Sequence, residues 1–345
     1  MARNQPTHKS YTIATLGSHS ALGILKGAKE EGFKTLCICK PQDRITYDSF
    51  GVADKIIETA SFSDFPKLKG IDNKTIFIPH GSYTAYVDMD DFPFPIFGNR
   101  ELIKVESNRD TQREWIVKSG LKVPEVYHST EDIDGLVIVK FHGAAGGKGY
   151  FLAYSRENFE EKRRRMVRAG IVTEKQLEKI HIQKYIIGVN VYASYFNSVV
   201  RDELELLCFD KRYEANVDNI GRVPAEDQIA TMVTPTYTVT GNIPLSIRES
   251  LLPEFFRMGE AVARTARGLS EKGMIGPFCL ENVINQKLEI ITFELSARIV
   301  AGTNVDIGGG PYFHLKHGPG MHMGRRIALE IKEGIQQGML DELLT

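Results

Sequence analysis

Apolar and polar positions change period repeatedly along this chain. Residues 11–16 form an apolar, β-type run, Gly17-Ser18-His19-Ser20 reads as a turn, and 21–31 carries helical spacing that Gly32 ends. Residues 34–39, Ile56-Ile57 and 75–79 continue the alternation, which predicts a small parallel sheet. Asp91-Phe92-Pro93-Phe94-Pro95 breaks regular structure, and one helix is expected over 101–119, stopped by Gly120. Pro124 opens a second part with an apolar strand ending at Lys140, a glycine-rich loop, a second strand from Tyr150, a basic helix over 157–169 and a strand over 181–187. The third part has β signals up to Val239, a helix over 253–268, a hairpin over 276–298, a glycine-rich loop and a C-terminal helix. The expected class is α/β and α+β, in three consecutive parts: 1–98, 99–187 and 188–345.

Composition adds exclusions. The 345 residues suit two or three domains. A net charge of −1 gives no basic field for nucleic acid or an anionic membrane. No apolar run approaches the ~20 residues of a membrane span. No apolar signal region follows Met1, so a cytoplasmic protein is expected. Cys37, Cys39, Cys208 and Cys279 fit neither a zinc site nor a disulfide framework, and are expected as buried thiols.

The chemistry starts at Lys140. Behind its strand lie Gly143, Gly146, Gly147, Lys148 and Gly149. Amides freed of side chains, flanked by two cations, suit a polyphosphate. The loop is one residue too short for a Walker A motif, and Gly149 stands where Ser or Thr should be. A strand, not a helix, is expected after it, so the motif reads as a hairpin lid over phosphates.

The second signal is a carboxylate pair on the hairpin over 276–298. With Gln286-Lys287 as a two-residue loop, Glu281 faces Thr292 and Glu294 lies diagonally beyond on the same face. Such neighbours sit roughly 7–8 Å apart, close enough to share Mg²⁺. Ser296 and Arg298 continue that face at period two. The Gly17–Ser20 turn opens a helix, and its amides could receive a phosphate. Ser82 follows a strand, where ligands of open α/β sheets bind. His314, His317 and His322 read as loop residues rather than a metal site. Lys162-Arg163-Arg164-Arg165 reads as a solvated helix face paired with Glu157, Glu160 and Glu161. Gly302 and Gly308-Gly309-Gly310 read as a binding loop beside the site.

In this order, the motifs resemble those of the ATP-grasp ligases, in which an N-terminal Rossmann-like domain precedes two α+β domains that clamp ATP. The resemblance implies that Lys104 and Lys140, with Gly146, Gly147 and Lys148, meet the ATP phosphates. It makes Gln183, Tyr185 and Ile186 the adenine strand, and Glu281 with Glu294 the Mg²⁺ (or Mn²⁺) ligands. Gln183 replaces the usual Glu, and Ser296 the usual Asn of Glu-x-Asn-x-Arg. Gly17-Ser18-His19-Ser20-Ala21-Leu22, His80-Gly81-Ser82-Tyr83, Lys211-Arg212-Tyr213-Glu214, Thr240-Gly241-Asn242-Ile243-Pro244 and the run from Phe293 to Asn304 are closer still to one subfamily. It is the formate-dependent formaminoimidazole-carboxamide ribonucleotide synthetases of purine biosynthesis, in which that Ser is typical. This implies that His19, Ser82 and Asn242 contact the aminoimidazole carboxamide ribonucleotide, that Glu214 lies near ATP, and that the protein is a homo-oligomer, a trimer or hexamer. Lys140, Lys148 and Arg298 are then the expected catalytic cations, acting while formate is activated as formyl phosphate. An ATP-grasp relative joining another carboxylate to another amine, and a nucleotide sensor without turnover, are the competing readings.

Overall fold

The computed structural model describes residues 7–67, 69–141, 150–168, 170, 172–177, 180–231, 233 and 238–345. The first sheet holds β1 (Thr12–Leu16), β2 (Lys34–Cys39), β3 (Lys55–Glu58) and β4 (Thr75–Phe77). Its order is β3-β2-β1-β4 and every pairing is parallel, as the alternating pattern predicts. β1 and β2 are buried along nearly their whole length, which explains their unbroken apolar runs.

The second sheet is antiparallel. It holds β5 (Val126–Tyr127), β6 (Val137–Phe141), β7 (Tyr150–Ala153) and β8 (Ile180–Lys184) in the order β5-β8-β6-β7. The expected hairpin arms pair with Lys140 opposite Tyr150, while Gly146, Gly147 and Lys148 lie outside the described residues. The strand expected over 181–187 stops at Lys184, and Tyr185, Ile186 and Ile187 form the hinge into the third sheet. This sheet has its own small core of Tyr127, Val137, Val139, Ala153, Phe159 and Ile182.

The third sheet is also antiparallel: β9 (Gly188–Ser198), β10 (Glu203–Glu214), β11 (Val239–Pro244), β12 (Gly276–Asn285) and β13 (Ile290–Ser296), ordered β11-β10-β9-β12-β13. It shares a core with the first sheet, in which Ile13, Ile24 and Phe97 meet Phe196, Leu207 and Ile327. The long C-terminal helix, Met323–Gln337, crosses Ala21–Glu30 at a glycine contact. A Cβ on Gly27 would lie 2.1 Å from the Arg325 amide nitrogen, so only glycine permits that approach.

The single helix expected over 101–119 is two. Asn108 is extended (φ −107°, ψ 124°) and ends Arg100–Ser107, and its side chain caps Arg109–Lys118 by accepting from the Asp110 and Thr111 amides. Trp115 is fully buried and its indole N–H donates to the Val262 carbonyl at 3.2 Å, tying this linker to the Leu252–Ala266 helix of the third sheet.

The hairpin register also departs from expectation. Asn285 accepts the Lys287 and Glu289 amides on its side chain, which widens the loop beyond two residues. Asn282, not Glu281, then faces Thr292, and a bulge that leaves Phe293 unpaired sets Glu281 directly opposite Glu294.

All four cysteines are buried and free. His317 and His322 bond to different carboxylates, Glu205 and Glu30, and do not converge. Arg163 pairs with Glu160 and Glu174, as a solvated helix face would.

Candidate active site

A cleft of about 840 Å³ opens where the three sheets meet, and residues from each line it. β12 and β13 present Glu281 and Glu294 side by side, because directly opposed residues of a sheet point to the same face. Glu281 is 2% exposed and pairs with Arg212 of β10 at 2.5 Å. The Arg212 guanidinium in turn lies 4.0 Å from the centre of the Tyr192 ring. Burial, reinforced by the Glu294 charge and opposed by Arg212, pushes the Glu281 carboxyl up to about 7.

Opposite this acidic floor stands Lys140. β6 delivers it into the cleft, where its Nζ lies 3.5 Å from the Gln183 Oε1 of β8. Burial lowers its proton affinity, and so do Arg109 and Arg113, while Glu294 and Glu281 hold it up. His181 pairs with Lys140 in the sheet, and burial, then the charges of Lys140, Arg113 and Arg109, lower its proton affinity.

Arg298 closes the third side. It pairs with Glu106 at 2.8 Å, and the second Glu106 oxygen accepts the Ala297 amide at 2.7 Å. Burial raises the Glu106 carboxyl and the Arg298 charge opposes that rise. A backbone bridge between His80 and Ile299 brings Arg298 to the first sheet. There, His19 adopts φ +47°, a left-handed conformation costly for a non-glycine residue, and its ring lies against Gly81 and His80. Burial, then Arg298 and Arg212, lower the His19 proton affinity. Ser82 is buried and its hydroxyl meets that of Ser18 at 2.5 Å.

Two family models match the chain. One, "Domain of unknown function (DUF1297)", spans residues 158–345, and the other, "Protein of unknown function (DUF1246)", spans 13–127. A 5-formaminoimidazole-4-carboxamide-1-(beta)-D-ribofuranosyl 5'-monophosphate synthetase from Archaeoglobus fulgidus is 47% identical over 339 residues, 96% of this chain and 94% of that protein. The chain belongs to this synthetase family. The crystal structure of an IMP biosynthesis protein PurP from Thermococcus kodakaraensis matches with a TM-score of 0.77 at 30% identity, over 96% of this chain and all of that one. An N5-carboxyaminoimidazole synthetase from Staphylococcus aureus complexed with ADP matches with a TM-score of 0.59 at 15% identity, over 87% of this chain and 74% of that one. That likeness is one of fold, and the fold is ATP-grasp.

For a synthetase of this family, the structure brings His19, Lys140, Gln183, Tyr185, Ile186, Glu214, Asn242, Glu281, Glu294 and Arg298 to one cleft. Ser82 lies just behind its wall, next to the cleft residue Gly81. Lys104 departs from expectation. It pairs with Asp90 outside the cleft, and Arg109 and Arg113 of the next helix line the cleft instead. The Gly17–Ser20 turn offers fewer amides than expected, because those of Gly17, Ser18 and Ala21 already donate to the Ile38, Leu16 and Ser18 carbonyls.

Sequence reasoning gave no role to Glu106, His181, Tyr192 or Arg212. Arg212 lies inside a motif that carried the family resemblance, and its charge next to Glu214 was the available signal. Glu106 sits in a polar helix with nothing to distinguish it from solvated neighbours.

Proposed function

We propose that this protein joins formate to the amine of aminoimidazole carboxamide ribonucleotide at the expense of ATP, releasing ADP and phosphate. One observation carries the reading: carboxylates from the third sheet, a lysine from the second and a histidine from the first face one cleft in a chain similar to these synthetases over almost its full length.

The amine is aromatic, and its lone pair is drawn into the ring and the carboxamide. It therefore needs a reactive acyl donor. A formate oxygen attacks the γ-phosphorus and ADP leaves, giving formyl phosphate. The ribonucleotide amine then attacks the formyl carbon, phosphate leaves, and the amine gives up one proton as the amide forms. Positioning and charge neutralisation supply most of the acceleration.

Lys140 and Arg109 neutralise phosphate oxygens from the lid side, and Arg298 does so from the opposite wall. Gln183, Tyr185 and Ile186 border the adenine. His19, Ser82 and Asn242 take the ribonucleotide. Glu281 and Glu294 suit a Mg²⁺ or Mn²⁺ ion, because this metal takes one or two protein carboxylates and completes its shell with phosphate oxygens and water. When bound, the ion would neutralise charge on the ATP phosphates.

The deciding assay is ADP release with ATP, Mg²⁺, formate and the ribonucleotide, each omitted in turn. ADP release only with all four supports the reading, and formate-independent release overturns it.

A further inference from the structure

Asn242 lies on the edge strand β11, opposite Arg212, and its side chain lines the cleft. Its Nδ2 donates to the Asp210 Oδ2 at 2.7 Å. Asp210 belongs to β10 and is 0% exposed, so it stands behind Asn242 as seen from the cleft. The Asp210 carboxylate is also wedged in place. A Cβ on Gly302 would lie 2.1 Å from Oδ1, so only glycine leaves room for this carboxylate. Among the described residues Oδ1 has no hydrogen-bond partner, which leaves Asn242 as the group there that satisfies the buried acid.

A carboxylate accepts hydrogen bonds and does not donate them, whereas an amide has one accepting and one donating end. The amide end facing Asp210 must therefore be the nitrogen, and the oxygen must point the other way. We propose that Asp210 is a positioning residue that fixes the Asn242 carboxamide with Oδ1 toward the cleft, so that Asn242 reads a hydrogen-bond donor on the ribonucleotide. Burial pushes the Asp210 carboxyl up to about 6, opposed by the Asn242 bond and by Arg212 and assisted by the nearby Asp306. The inference rests on the reading above in which Asn242 faces the ribonucleotide, and it adds the polarity of that contact and the residue that sets it.

Exchanging the two side chains tests it. In Asp210→Asn the amide pair can adopt either orientation, and Asn242 no longer presents oxygen alone. In Asn242→Asp two carboxylates face each other, and they either repel or share a proton whose position no longer fixes which oxygen faces the cleft. In the double variant Asp210→Asn/Asn242→Asp, the new amide donates to the new carboxylate, whose other oxygen again offers an acceptor to the cleft. The expected result is a KM for the ribonucleotide raised roughly tenfold or more in each single variant, with the KM values for ATP and formate changed less than about threefold. The double variant should recover most of the loss. Thermal unfolding of all three checks that they fold. A single variant that fails to fold leaves the comparison of double variant with wild type, which still decides. An unchanged ribonucleotide KM in Asp210→Asn, a parallel rise in all three KM values, or a double variant no better than the worse single one overturns the inference. A wild-type chain that does not turn over this ribonucleotide instead overturns the functional reading, and the two failures are distinct.

Discussion

Glu281 and Glu294 stand directly opposite each other on adjacent strands, because a bulge at Phe293 shifts the register by one residue between Thr292 and Glu294. A regular two-residue hairpin would have set them diagonally. The bulge turns two carboxylates of modest separation into facing partners, one buried against Arg212 and one exposed in the cleft. Substituting either Glu281→Gln or Glu294→Gln is expected to lower kcat on the order of 10²–10³-fold and to raise the Mg²⁺ concentration needed for half-maximal rate. Steady-state ADP release across a Mg²⁺ titration measures both, and an unaltered Mg²⁺ dependence in Glu294→Gln would remove the metal assignment.

The cation set is open to a direct comparison. Lys140 and Arg109 line the cleft, and Lys104 is engaged with Asp90 away from it. Lys140→Met and Arg109→Met should each reduce kcat/KM for ATP on the order of 10²-fold, while Lys104→Met should change it less than about threefold. If Lys104→Met proves as damaging as Lys140→Met, the phosphate cations belong on the first linker helix and Arg109 has been misplaced.

Glu106, itself buried, compensates a part-buried arginine. Its carboxylate takes both Arg298 and the Ala297 amide, joining the linker helix to the end of β13. Breaking a buried pair by neutralising one partner costs about 3–5 kcal/mol. Glu106→Gln should therefore lower the unfolding free energy by about that amount, and activity should fall with it, because Arg298 loses its anchor and can collapse onto Glu281 and Glu294. Denaturant unfolding and kcat measured on the same preparation test this. Wild-type stability together with wild-type kcat would contradict it.

His80 gives the protein an acid-sensitive element. It is fully buried, donates through Nε2 to the Leu16 carbonyl at 2.9 Å and accepts the Ser82 amide on Nδ1 at 3.2 Å. Burial, followed by the neighbouring His19, lowers its pKa from 6.5 to about 3. Between those values the unfolded chain binds a proton that the folded chain refuses. The stability is whole above pH 6.5 and falls as the pH drops toward 3, by up to about 1.4 kcal/mol per pH unit. His80→Asn should flatten the stability profile between pH 6 and pH 4 by about one proton's worth. Chemical denaturation at several pH values reads the slope, and identical slopes would place the acid sensitivity elsewhere.

Much of this arrangement is written locally. The parallel β1–β4 sheet follows from short apolar runs separated by turn residues, and the β6–β7 pair from an apolar strand before glycines and a second strand after them. Lys140, Glu281, Glu294 and Arg298 were legible because each lies on a strand whose period of two fixes which residues share a face. Where the reading slipped, the cause was a side chain acting on the backbone. Asn108 breaks one helix into two, and Asn285 widens a turn and resets a register.

The sequence by itself determined most of the elements and the family, because periodicity and motif spacing are properties of neighbouring residues. Only the tertiary structure decided which charges meet. The Arg212–Glu281 and Arg298–Glu106 pairs span 69 and 192 residues, and Asp210 finds Asn242 across 32. No local pattern encodes such pairs. They form because a charge or amide carried into the interior must find a partner there, and chain folding, not sequence spacing, supplies it.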